Sequence, residues 1–189
     1  MDVHRGTDRI VIDSPPALSA RGIVKRFGRT VALDATTLEV RAGTLHALLG
    51  ENGAGKTTLM RLVFGMIRAD AGELCVGGVI RHWRSSADAI AAGIGMVHQQ
   101  FMLIPAMTVA ENVALGDQGF LSAFDPRVAA ERVRRLGSEA GLKLAPQVRV
   151  ADLPVGAQQR LEIVKALARN ARLLILDEPT AVLTPLESQ

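Results

Sequence analysis

The sequence has no tyrosine and one tryptophan, and aromatic residues fill only 3% of its 189 positions. Such a chain offers few platforms for stacking single-stranded bases, and its basic residues are scattered apart from Arg132, Arg134 and Arg135, so no nucleic-acid partner is expected. Those arginines are expected on a solvated helix face. Cys75 stands alone, which excludes an internal disulfide framework and a cysteine zinc site and points to a reducing compartment. Charge of neither sign dominates, since 22 basic and 19 acidic residues leave a formal charge of +3.

Long hydrophobic runs are also missing. The N-terminal region is broken by Asp2, Asp8 and Asp13, so Ile10-Val11-Ile12 does not read as a secretory signal. The longest charge-free window, residues 89–110, carries His98, Gln99, Gln100 and Pro105, whose polar and main-chain groups would go unsatisfied in a bilayer. What is present is an ordinary globular composition, 48% hydrophobic and 22% charged, at a length that buries about 70% of the unfolded surface.

Residues 1–17 read as a flexible leader ending in Pro15-Pro16. Short strand-like pieces follow at Ile23-Val24, at Val31-Ala32-Leu33 and over residues 36–40, and a second patch covers residues 73–80 with Gly77-Gly78 as a hairpin turn. Together they predict a small antiparallel β subdomain. Leu45-His46-Ala47-Leu48-Leu49 is a strand-length apolar run, and after the glycine-rich residues that follow it, Leu59, Leu62, Val63, Met66 and Ile67 recur at helical spacing. A helical subdomain is expected over about residues 106–160. Thr108 and Glu111 form a capping box, Asp125-Pro126 opens a helix whose buried face is Ala129, Val133, Leu136 and Ala140, and a further helix covers about residues 157–169. Leu173-Leu174-Ile175-Leu176 then reads as a buried strand.

GENGAGKTT, residues 50–58, fits G-x-x-x-x-G-K-[ST] between a strand and a helix. Gly53 and Gly55 let the backbone curl so that successive N–H groups point inward, and the helix behind them presents its positive end to phosphate. Lys56 is expected to reach the β- and γ-phosphates of a nucleotide, and the Thr57 hydroxyl to coordinate Mg²⁺. The second acidic element is LLILDEP: Asp177 at a strand end can hold Mg²⁺ through water, and Glu178 can orient or deprotonate an attacking water. Small GTPases would place their acidic element nearer and carry an N/T-K-x-D guanine reader, which does not occur.

These motifs, in this order, resemble the ATP-binding subunits of ABC transporters over residues 18–185, and more narrowly the first nucleotide-binding domain of nucleoside and simple-sugar importers. The further carriers are GIGMVHQQF with Gln99 as the Q-loop glutamine, LPVGAQQR at the signature position, and AVLTP where the D-loop belongs. The resemblance implies an α/β P-loop NTPase of ABC type, with a parallel core sheet beside the two subdomains, within one domain over residues 18–189. It implies ATP and Mg²⁺ as cofactors. Phe27 would stack on adenine; Gly50, Glu51, Asn52, Gly53, Ala54, Gly55, Lys56, Thr57 and Thr58 would hold the phosphates; Thr57, Gln99 and Asp177 would serve the metal; Lys56 and Glu178 would be catalytic. Leu153, Pro154, Val155, Gly156, Ala157 and Gln158 would face the ATP of a paired domain, although Pro154, Val155 and Ala157 depart from the usual LSGGQ.

The implied partners are a second ABC ATPase domain, membrane permease subunits and, indirectly, a substrate-binding protein, at the cytoplasmic face of the membrane. Phe101 to Ile104, with Met107, read equally as core packing or as a soft apolar surface for a permease. The implied function is ATP hydrolysis powering import; the alternatives are a nucleotide-binding module without turnover and a soluble non-transport ABC-type ATPase. All four histidines, at 4, 46, 82 and 98, precede the place of the family's switch histidine, and the last core strands are missing. The chain is therefore expected to be a C-terminally truncated half, unstable and near background in ATPase activity when alone.

Overall fold

The computed structural model describes residues 15–98, 100–115 and 124–177. Strand β1 (Leu18–Phe27) pairs antiparallel with β2 (Thr30–Val40), placing Leu18 opposite Val40 and Phe27 opposite Thr30. Strands β3 (Ala71–Val76) and β4 (Val79–Ile80) extend the sheet on the other side of β1, in the order β2-β1-β3-β4. The expected short pieces merge into two long strands because register shifts between Ala20 and Ile23, and again before Arg26, absorb the irregular pattern. Gly77 and Gly78 both have positive φ, as a two-residue turn matched to the strand twist requires.

Helix α1 (Lys56–Val63) buries Leu59, Leu62 and Val63 against this sheet, in one core with Leu18, Ile23, Leu33 and Leu74. The apolar spacing runs on to Met66 and Ile67, but the helix does not. Gly65 adopts φ +77, its N–H donates to Leu62 O at 3.0 Å, and the N–H of Met66 donates to Arg61 O at 2.8 Å, a Schellman ending that leaves Met66 exposed. The Trp83 indole N–H then donates to Val63 O at 3.0 Å, tying the chain after β4 to the end of α1.

Helix α2 (Ser86–Ala91) leads into β5 (Ile94–Val97), which pairs in parallel with β6 (Leu173–Leu176), Ile94 opposite Leu173 and Val97 opposite Leu176. Strand β6 is half-buried rather than buried, because its packing comes from the β5 side. Residues 45–49 form no strand, contrary to their apolar run, and Leu45 and Leu49 are 95% and 89% exposed. An isolated strand has no ladder to satisfy its main chain, and among the described residues β5 and β6 pair only with each other. The expected parallel core sheet is thus represented by two strands.

The second core gathers α3 (Val109–Ala114), α4 (Pro126–Glu139) and α5 (Val155–Ala168) around Val109, Val113, Val133, Val150, Leu161 and Val164. The capping box at Thr108 and Glu111 forms, and Asp125 caps α4 with Pro126 at its first position. Ala129 and Val133 are buried as their spacing predicts, whereas Ala140 is an exposed C-cap. Arg134 and Arg135 lie on the solvated face, but Arg132 is half-buried and donates to Ala168 O, joining α4 to the end of α5. Helix α5 starts at Val155 rather than Ala157: Pro154 is extended, and its carbonyl accepts from the N–H groups of Ala157 and Gln158 at 2.8 and 3.1 Å.

Candidate functional site

The loop over residues 50–58 is exposed up to Ala54 and half-buried from Gly55 onward, where it enters α1. Gly53 and Gly55 take φ +85 and +87, a left-handed backbone that favours glycine. At Gly55 the requirement is doubled, since a Cβ would stand 2.4 Å from Ala32 O and 2.9 Å from Leu33 Cδ2. The glycine thus lets the loop sit directly on β2. Its position as N-cap provides no side-chain cap, and the first i to i−4 bond of the helix is Leu59 N–H to Gly55 O at 2.9 Å. The N–H groups of Lys56, Thr57 and Thr58 precede that bond and face outward along the helix axis with the positive end of its dipole.

Lys56 Nζ donates to Gly50 O and Glu51 O at 2.6 and 2.8 Å, so the ammonium closes the loop on itself. Thr57 Oγ1 donates to Asp177 Oδ1 at 3.3 Å. Asp177 follows β6 directly, and its N–H donates to Val97 O at 3.1 Å. Because β5 and β6 are parallel and in register, the chain leaves both at the same end, His98 from one and Asp177 from the other. His98 packs edge-on against Phe64 with ring centroids 5.9 Å apart. Gln99 and Glu178 lie outside the described residues.

Phe27 stands at the end of β1, 51% exposed, with Lys25 Nζ 5.5 Å from its ring centroid. Its partner Thr30 lies three residue steps, about 10 Å, from Leu33, where Gly55 packs. One face of the hairpin end therefore borders the glycine loop. Leu153, Pro154, Val155, Gly156, Ala157 and Gln158 open α5 instead, in the other core. Gln158 Nε2 donates back to Leu153 O at 2.9 Å, Val155 is 59% exposed, and Gln159 is buried with Oε1 unpartnered.

A set of buried polar side chains escaped the sequence pattern. Glu162, Lys165 and Asn112 occupy helical positions that periodicity alone reads as polar faces, yet Asn112 is fully buried and Glu162 nearly so. They bond the main chain of residues 102–104, which is not predictable from local sequence. A cavity of about 640 Å³ opens between α3 and α4 and touches none of the loop residues. Phosphate loops bind through main-chain amides on an open surface, so its volume does not locate the nucleotide.

The donor set suits phosphate and a hard cation: outward amides, an ammonium held by two loop carbonyls, and the Thr57 hydroxyl facing a carboxylate. Among the described residues no cluster of three acidic, histidine or cysteine side chains forms.

Residues 33–181 match the family described as ABC transporter. Nucleoside import ATP-binding protein NupA of Lactococcus lactis is 47% identical over 166 residues, covering 87% of this chain and 33% of that protein. Ribose import ATP-binding protein RbsA 1 of Rubrobacter xylanophilus is 47% identical over 173 residues, covering 91% and 35%. The chain spans about a third of the length of these relatives. A solved ATP-binding cassette of an ABC transporter in its ADP conformation superposes with a TM-score of 0.76 at 26% identity, covering 90% of this chain and 71% of that one. The chain belongs to the ABC transporter family and has the α/β fold of its ATP-binding cassettes.

Proposed function

We propose that the chain is a nucleotide-binding domain of an importer ATPase whose cargo is a nucleoside or a simple sugar. The observation that carries this reading is the Thr57–Asp177 contact, in which two of the three expected metal residues meet across 120 positions of sequence. The names of the relatives support the cargo class.

In this reading ATP is the substrate. Lys56 leaves the Gly50 and Glu51 carbonyls for the phosphate oxygens, and the amides of residues 53–58 receive the rest of the charge. Bound Mg²⁺ would be served by Thr57, Asp177 and Gln99 and supplies neutralisation of phosphate charge. Glu178 orients the attacking water, and Phe27 offers its open face to adenine. The signature stretch serves the ATP of a second domain, and a permease docks at the apolar residues near Met102, so the protein sits peripherally on the cytoplasmic membrane face. Among the described residues no helix is long and apolar enough to cross a membrane.

A second reading is nucleotide binding without turnover; Pro154 bears on the partner domain's site alone. It has no hydroxyl to offer a phosphate, and its carbonyl is engaged by Ala157 and Gln158. That change weakens the site completed for the partner domain, so the pair is asymmetric. The test uses the full-length protein: Lys56→Ala should abolish ATP binding and hydrolysis, and Glu178→Gln should keep binding and abolish hydrolysis at this site. Turnover untouched by Glu178→Gln would leave only the binding reading standing.

A further inference from the structure

A cavity of about 390 Å³ opens between the C-terminal end of α1, strand β3 and the segment that follows β4. Ile23, Leu62 and Leu74, all members of the first core, give it an apolar floor, and Trp83 forms part of its wall. Arg68, Arg81, His82 and Arg84 also line it, and Asp70 is the one acidic lining residue. Small-molecule sites have this character, a mostly apolar surface of about 300–1,000 Å³ with a few convergent polar groups.

The walls are set by bonds within the chain. Arg81 N–H donates to Leu74 O at 2.8 Å and the Trp83 indole N–H to Val63 O at 3.0 Å, so the segment after β4 is pinned to β3 and to α1. The chain entering β3 is held in turn where Asp70 N–H donates to Val24 O at 2.9 Å. A cavity whose walls are already fixed costs a ligand little ordering entropy.

Charge is not balanced around it. Asp70 pairs with Lys25 Nζ at 2.8 Å and Arg84 with Asp88 at 3.5 Å, and within each pair the charges cancel. Among the described residues neither Arg68 nor Arg81 forms an ion pair or a side-chain hydrogen bond. Arg68 is exposed, whereas Arg81 is half-buried, with its Nε buried and unpartnered and its Cζ 6.0 Å from the Trp83 ring centroid. A guanidinium partly withdrawn from water and packed on an aromatic ring is a strong donor with nothing to satisfy it. Two positive charges thus remain uncompensated on one cavity. A carboxylate would neutralise one of them, but a phosphate monoester carries a charge of about −1.5 to −2 at pH 7 and three acceptor oxygens.

We propose that this cavity binds a small phosphate monoester, with the phosphate on Arg68 and Arg81 and the organic body over Ile23, Leu62 and Leu74. A bare phosphate leaves that apolar floor uncovered, which is why the ester fits better. His82 adds a further N–H donor at the rim. The site is separate from the glycine loop: none of residues 50–58 lines it, and Leu62 lies about 9 Å of helix rise beyond Lys56. The inference does not rest on the transport reading.

The experiment is calorimetric titration of the full-length ATPase, saturated with a non-hydrolysable ATP analogue so that the glycine loop is filled. The probes are phenyl phosphate, with an apolar body, ribose 5-phosphate, with a sugar body, and inorganic phosphate. At least one ester is expected to bind with Kd below about 1 mM, about tenfold or more tighter than inorganic phosphate, and the tighter of the two shows which body the floor accepts. Arg68→Met and Arg81→Met keep the apolar stems, and each should weaken ester binding about tenfold through loss of one charge-assisted contact. Lys56→Ala, which empties the glycine loop, should leave ester binding unchanged. Absence of binding by both esters overturns the proposal. So does inorganic phosphate binding as tightly as the better ester, the mark of an adventitious ion only. Ester binding that Lys56→Ala removes and both arginine variants keep assigns the phosphate to the loop and overturns it as well. Should Arg81→Met not fold, Arg68→Met at its exposed position decides alone, and an unchanged affinity there ends the proposal.

Discussion

Thr57 and Asp177 stand 120 positions apart in sequence, and the hydroxyl of one donates to the carboxylate of the other at 3.3 Å. The contact spans the two halves of the first core. Thr57 begins α1 on the antiparallel sheet, and Asp177 ends β6, held by its N–H bond to Val97 O. At 3.3 Å the bond is long for an O–H donor to a carboxylate, so it contributes little to stability by itself. In the proposed function the same two oxygens serve a small hard cation.

The first prediction follows from that sharing. Thr57→Val and Asp177→Asn should each change unfolding free energy by less than about 1 kcal/mol while reducing the gain in ATP affinity on adding Mg²⁺ about tenfold. Calorimetric titration with Mg²⁺ and with chelator separates the two effects. An Asp177→Asn protein whose ATP affinity still responds fully to Mg²⁺ would remove this carboxylate from the metal site.

A second prediction contrasts two glycines of the same loop. An added methyl at Gly53 meets nothing within 4 Å, but one at Gly55 meets the Ala32 carbonyl at 2.4 Å. Gly53→Ala should therefore cost only the left-handed backbone penalty, about 1–2 kcal/mol. Gly55→Ala adds displacement of the loop from β2, and should cost more and weaken nucleotide binding as well. Urea unfolding paired with ATP titration decides it; equal costs at both positions would mean that the loop does not rest on β2 in solution.

Residues 45–49 supply a third. Two leucines almost wholly in water, in a run with no strand partner among the described residues, make an adhesive segment. The 189-residue chain alone should bind ANS and aggregate, and its amides at 45–49 should exchange as fast as an unstructured peptide. Leu49→Ser should reduce ANS binding without unfolding the antiparallel sheet. Slow exchange at 45–49 in a monodisperse sample would contradict the exposed arrangement.

What could be read without the structure divides along a physical line. The glycine loop, the capping box at Thr108, the Asp125-Pro126 start and the Gly77-Gly78 turn all depend on chemistry within a few residues, and each forms as its local sequence implies. The Leu45 run failed because a strand is decided by its neighbour, and helix α1 stopped early because Gly65 outweighed the apolar spacing beyond it. Glu162, Lys165 and Asn112 were illegible for the opposite reason. Their partners, Met102 and Ile104, are bonded through main-chain atoms, which leave no trace in side-chain pattern. The pairing of Thr57 with Asp177 was legible only because two motifs together imply a shared ligand.

The last prediction concerns the hairpin end that carries Phe27. Asp70 accepts from Lys25 Nζ at 2.8 Å and from the Arg26 N–H at 2.7 Å, and these bonds hold its carboxyl below the usual aspartate range. The folded state thus favours the charged form. The stabilisation is complete above the unfolded value, about 3.9, and is lost as pH falls through the lower folded value. Acid should therefore release Lys25, which also lies over the Phe27 ring. Lys25→Met should raise the Asp70 midpoint seen by carboxyl NMR, and Asp70→Asn should flatten the acid limb of a stability–pH curve below about pH 4. Near neutral pH, Asp70→Asn should also weaken ATP binding if Phe27 stacks on adenine, because the hairpin end loses its tie to the residues leading into β3. Binding that is unchanged by Asp70→Asn, with the midpoint shift still observed, would detach Phe27 from the nucleotide while leaving the ion pair intact.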